Sequence, residues 1–179
     1  MIQKGDKIEN TRTGQRMIFL KTWAETNGTQ VQIECFSPVT SAREPEHVHP
    51  YQENRFHVLS GELWFCVDGK DRVVYPGETI SIPKNTPHYF WNSGTEEAHY
   101  IQEFFPALKI DTLFETFFAL SRDGRLNKNG APNIFRTSLI MLEHEKEIRL
   151  TKPSWRIQRT VFVFFATIGK ILGYKSHYV

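Results

Sequence analysis

The sequence predicts a mainly β fold, a barrel or sandwich, followed by a helical C-terminal section. Three observations carry this. Up to about Pro106, short apolar runs are broken by turn residues at roughly eight- to twelve-residue intervals, the rhythm of an all-β unit rather than an α/β one. Asp68-Gly69 separates two of those runs and is the dipeptide a two-residue hairpin favours. Beyond Pro106 the apolar spacing lengthens to the helical period.

Met17–Lys21 and Gln30–Phe36 are rich in β-formers and read as strands, with a turn at Glu25-Thr26-Asn27-Gly28 between them. Arg55–Leu59 follows, then a Ser60-Gly61 turn, Glu62–Val67 and Asp71–Tyr75. Thr79–Ile82, His88–Asn92 and Ala98–Phe105 complete the strands. In Glu62–Val67, Trp64 and Cys66 alternate with Leu63, Phe65 and Val67, so both faces are apolar and both need cover. Further on, Leu113, Phe114, Phe117, Phe118 and Leu120 recur at helical spacing, and a loop is expected through Arg122-Asp123-Gly124 and 127–132. Asn133–Glu147 suits a second helix, and Pro153 opens a third, since proline is tolerated in a first turn. In that third helix Ile157, Val161, Phe164, Phe165, Ile168, Ile171 and Leu172 form an apolar stripe expected to pack inward, with Phe162 and Val163 off it. The division expected is a β-barrel over 1–107 and a helical extension over 108–179, packed on the barrel or on a dimer partner.

With 40% hydrophobic and 23% charged residues and no low-complexity tract, the composition excludes disorder, and 14 Phe point to an aromatic core. The formal charge is +2, but 148–179 holds six Lys and Arg and no acidic residue, which leaves −4 on 1–147. Such asymmetry suits an anionic lipid surface or the acidic body of the protein itself. No recognised nucleic-acid-binding motif accompanies the charge, so nucleic acid is not an expected partner. Cys35 and Cys66 lie in strand-like runs and are expected to be buried and reduced. Met1–Asp6 lacks the apolar stretch of a signal peptide, and the uncharged run Thr160–Gly169 is too short to span a bilayer, so a cytoplasmic address is expected.

The chemistry lies in three histidines. His47 and His49 are two apart and share a face on an extended strand, and His88 follows a proline-containing turn on another strand. Three imidazoles brought together make a transition-metal site with open positions. Inward alternation of Phe56, Val58, Ile80, Ile82 and Phe90 would wall such a site with apolar side chains.

These residues resemble the two motifs of the cupin superfamily. Gly77-Glu78-Thr79-Ile80-Ser81-Ile82-Pro83-Lys84-Asn85-Thr86-Pro87-His88-Tyr89-Phe90-Trp91-Asn92 is similar to the second motif, with Asn85 in place of its central glycine. His47-Val48-His49, followed by Asn54 and Gly61, is similar to the first, and the resemblance covers roughly residues 30–105. It implies a small, single-domain jelly-roll (double-stranded β-helix) barrel, commonly a homodimer, that binds a small molecule. His47, His49 and His88 would hold a divalent transition metal: iron, manganese, nickel or zinc. Asn54 occupies the place of the family's acidic ligand, as a weak fourth ligand or a donor behind the others. Glu53 is one place early, which on a strand turns it to the opposite face. Cupin dioxygenases of the thiol and diketone classes are similar in using three histidines without the carboxylate. The function implied is a metal-binding cupin with dioxygenase-type chemistry in a pocket lined by Phe56, Val58, Ile82 and Phe90. The alternative is a non-catalytic binder, tethered to a membrane or partner by its basic C-terminal helix; isomerase or lyase chemistry is a third reading. Glu53, Gln102 and Glu103 are candidate bases if they face inward. His57 is expected to face away from Asn54, and His144 and His177 are expected in solvent.

Overall fold

The computed structural model describes residues 2–40 and 43–179. In chain order it forms β1 (Lys7–Asn10), β2 (Gln15–Lys21), a single helical turn α1 (Trp23–Thr26), β3 (Val31–Ser37) and β4 (His47–Val48). β5 (Glu53–Ser60), β6 (Leu63–Val67), β7 (Lys70–Val74), β8 (Thr79–Ile82), β9 (His88–Trp91) and β10 (Ala98–Phe105) follow. The remainder is α2 (Ile110–Arg122), α3 (Ile134–Glu143), β11 (Arg149–Leu150) and α4 (Trp155–Ile171).

The strands make two antiparallel sheets, one ordered β1-β2-β3-β10-β5-β8 and the other β11-β4-β9-β6-β7. Strict alternation sets what faces inward. Along β5, Asn54, Phe56 and Val58 are buried, and the residues between them are partly exposed. Phe56 meets Phe65 and Phe90 of the other sheet at ring-centroid distances of 4.9 Å each, so the two inner faces share one aromatic core.

The turns explain several motif positions. Asp68 and Gly69 take φ of 49° and 71°, the left-handed pair of a tight hairpin between β6 and β7. Gly61 has φ of 69°, and a Cβ there would lie 2.7 Å from the carbonyl oxygen of Glu97, so only glycine fits. Asn85, at the glycine position of the second motif, sits at φ 61°, a conformation asparagine tolerates better than most residues.

The helical section shares the barrel's core. Ile110, Leu113, Phe118, Leu120 and Ile140 belong to the same buried cluster as the strand residues. β1 was not legible as a strand because Lys-Ile-Glu-Asn carries a single apolar residue; it is an edge strand against which α2 packs. The turn expected at residues 25–28 is present, its first two residues closing the single helical turn of α1 and Asn27 capping it in the left-handed region.

Two expectations fail. His144 is fully buried rather than solvated, because the chain turns at the end of α3 and runs beneath itself towards β11. Most of the stripe expected to pack in α4, Ile157, Val161, Phe164, Ile171 and Leu172, faces solvent instead. Phe165 and Ile168 are half-buried, and Phe165 meets Phe135 of α3. The helix docks through Gln158, Phe162, Ala166 and Gly169. Gly169 lets α3 come so close that a Cβ would lie 3.1 Å from that of Phe135. Backbone proximity, not the largest apolar moment, selects the buried face.

Candidate metal centre

His47 lies on β4 and His88 on β9, directly opposite one another in register. His49 comes just after β4, and its carbonyl accepts a hydrogen bond from the Asn85 N–H at 2.8 Å. The two motifs are thus tied together at the site. The three rings are buried, with centroids 4.5 to 5.2 Å apart. Their metal-ligating atoms all lie within 4.8 Å of one another.

Each Nδ1 is bound to a backbone carbonyl: His47 to Pro45 at 2.9 Å, His49 to Glu147 at 2.6 Å and His88 to Thr86 at 2.8 Å. A carbonyl only accepts, so each Nδ1 carries the proton and each Nε2 keeps a free lone pair. The Nε2 of His88 is buried with no hydrogen-bond partner. A buried acceptor without a donor is costly, and a metal ion would relieve it.

Burial, the neighbouring His88 ring and the cost of a second positive charge push His47 down to about 3. His49 is held well below its ordinary range by burial first and by its two histidine neighbours second, and burial lowers His88 as well. All three are therefore neutral at pH 7, the state that binds metal.

Asn54 is buried beside the cluster, and its Nδ2 lies 3.5 Å from His49 Nε2. Its Oδ1 accepts from Gln102 Nε2 at 3.3 Å, while Gln102 Oε1 accepts a weak bond from the Cys35 thiol at 3.9 Å. This chain of donors fixes Asn54 with its N–H groups, not its oxygen, towards the histidines. Glu53 points outward to Ser81 and Arg55, and Glu103 outward to Gln32. Of the three candidate bases only Gln102 faces inward, and an amide is not a base at neutral pH.

The apolar positions belong to the buried core of the barrel. Ile82 is opposite Asn54 in register, and Phe56, Val58, Ile80 and Phe90 are buried in the barrel. Phe90 also borders a small cleft of about 70 Å³ with Gln15, Ser37 and Asn92. His57 faces outward, hydrogen-bonded to Thr79, and His99 pairs with Glu34.

Residues 36–102 match the cupin domain family. That stretch of the chain is a cupin domain.

Over 50 residues this cupin is 44% identical to acireductone dioxygenase of Bacillus licheniformis, covering 25% of this chain and 27% of that enzyme. Over 90 residues it is 30% identical to oxalate oxidase 1 of Hordeum vulgare, covering 46% of this chain and 45% of the relative. The chain thus spans less than half the length of these curated relatives. The crystal structure of a predicted oxalate decarboxylase from Thermotoga maritima superposes with a TM-score of 0.50 at 20% identity, covering 59% of this chain and 99% of that one. That likeness is one of fold.

The helical extension also reaches the centre. β11 pairs with β4, placing Leu150 opposite His47, and Glu147 supplies the carbonyl that orients His49. Sequence reasoning missed this because a backbone carbonyl has no side-chain signature. Asn92, the last residue of the second motif, is structural: it donates to the carbonyls of Ser37 and Glu96 at 2.8 Å each.

Proposed function

We propose that this cupin binds a divalent transition metal through His47, His49 and His88 and acts on a small organic molecule as a three-histidine, dioxygenase-type oxidoreductase. One observation carries the reading: three buried Nε2 lone pairs converge, each fixed by an Nδ1–H bond to a backbone carbonyl. When bound, the metal supplies Lewis acidity and open positions for a chelating donor and for dioxygen. Three neutral imidazoles leave the ion's charge uncompensated, so an anionic chelating substrate suits the site. Asn54 turns its N–H groups towards the histidines, where they would donate to such a substrate, and Gln102 holds Asn54 in that orientation. Ile82, Phe56, Val58 and Phe90 keep the floor of the site dry.

A non-catalytic, small-molecule-binding barrel is the second reading. It is favoured by Asn54 in place of an acidic ligand and by the packed aromatic interior, in which Phe56 touches Phe65 and Phe90.

Metal content per chain, measured by mass spectrometry on tag-free protein, tests the shared premise. Near-stoichiometric iron, manganese, nickel or zinc is expected, and His88→Ala should lose it; unchanged stoichiometry in the variant removes the ligand set. Oxygen uptake with a panel of anionic chelators then separates the readings. Turnover supports the oxidoreductase, and binding without uptake supports the binder.

A further inference from the structure

The surface left uncovered on α4 has an ordered pattern. Ile157, Val161, Phe164, Ile168 and Ile171 follow one another at steps of four and three, which puts them in a single line along the helix. Four of them and the adjacent Leu172 are exposed, Phe164 by 61% and Ile171 by 80%. The opposite face is already occupied by α3, so no further packing within the chain covers this line.

Charge decides what does. Lys152 and Arg156 lie exposed at the start of α4, and Lys170 and Lys175 at its end. The whole of 148–179 contains no acidic residue. A second copy seated on the same line would bring Lys152, Arg156, Lys170 and Lys175 of both copies together, and like charges oppose that pairing. An anionic lipid surface answers both features at once, taking the apolar line into the acyl boundary and the cations at headgroup level. The helix has 17 residues, and no helix among the described residues is long and apolar enough to cross a membrane, so it would lie in the plane.

We propose that α4 docks this protein on anionic lipid surfaces through the line Ile157–Ile171, with Lys152, Arg156, Lys170 and Lys175 as its electrostatic flank. The metal centre takes no part in this contact, so the two proposals stand or fall separately.

Co-sedimentation of the full chain with phosphatidylcholine vesicles, with and without phosphatidylserine and at low and high salt, tests it. Binding is expected only with phosphatidylserine and should weaken as salt rises. Lys152→Glu with Lys170→Glu should weaken it at least about tenfold, and Phe164→Asp with Ile171→Asp should abolish it. Circular dichroism and melting confirm that each variant folds; Phe164→Ser serves as the milder change where the double aspartate does not. Equal binding to both vesicle types, or binding unchanged in the variants, overturns the proposal. So does a dimer in sedimentation that Phe164→Ser dissociates while vesicles capture nothing, because the line then belongs to a second copy.

Discussion

Asn54 turns an acidic ligand position into a pair of N–H donors, and its surroundings are built for the change. A carboxylate there would accept from Gln102 Nε2, as Asn54 Oδ1 now does at 3.3 Å, yet would leave its second oxygen facing His49 Nε2. Without metal, two acceptors would oppose each other in a buried site, which costs about 1–3 kcal/mol. With metal, both would become ligands. Asn54→Glu is therefore expected to lower the melting temperature of the metal-free protein and to raise retention of a hard ion such as manganese by about tenfold or more. Thermal melts with and without manganese, together with a chelator competition, read both arms. A variant that melts like the parent without metal and retains manganese no better would show that position 54 does not face the ion.

β11 connects the centre to the C-terminal extension. It is two residues long, yet it pairs with the strand carrying His47, and the carbonyl holding His49 lies two residues before it. Gln158 of α4 secures it, donating from Nε2 to the carbonyls of Leu150 at 2.8 Å and Pro153 at 2.5 Å. Gln158→Ala leaves those carbonyls without their donor and frees β11 from α4. Metal affinity is then expected to fall about 10- to 100-fold, as when a group orienting a ligand is lost, although no ligand is altered. Isothermal titration with zinc measures it; unchanged affinity in a folded variant would confine β11 to a structural role. The parts of the site that were legible before the structure share a property. His47, His49, Asn54, Gly61 and His88 sit at short fixed spacings in which side-chain type and strand alternation carry the information. The polarity of Asn54 was not legible, because it depends on Gln102 and Cys35, 48 and 19 residues away. Nor were the Glu147 carbonyl and the buried face of α4, which are set by backbone approach. The acid-rich run around His144 read as solvent for the same reason: only tertiary contact shows that Glu147 and His144 are both buried.

The whole molecule should carry these buried histidines as a pH dependence of folding. His47 and His144 are pushed down to about 3 and about 4 by burial, and His49 and His88 are lowered by the same cause. In the unfolded chain each returns to about 6.5. The folded pKa lies below the unfolded one, so the unfolded chain binds more protons throughout the interval between them. Stability from these groups is complete above about pH 6.5 and is lost as the pH falls, at up to about 1.4 kcal/mol per pH unit for each group. Glu44, Glu147 and Asp111 act in the opposite sense, since burial raises all three, Glu44 to about 7, and the folded state then holds their protons more tightly. They offset part of the histidine loss, but three groups do not cancel four. Metal-free protein is thus expected to unfold progressively below about pH 6. Bound metal should steepen the loss, because protons compete for the same Nε2 atoms that tie the ion to the folded state. Chemical denaturation from pH 8 to pH 5, with and without zinc, measures both slopes. A flat profile without metal would mean that the histidines are not held neutral, and parallel profiles would mean that the ion is not held by them.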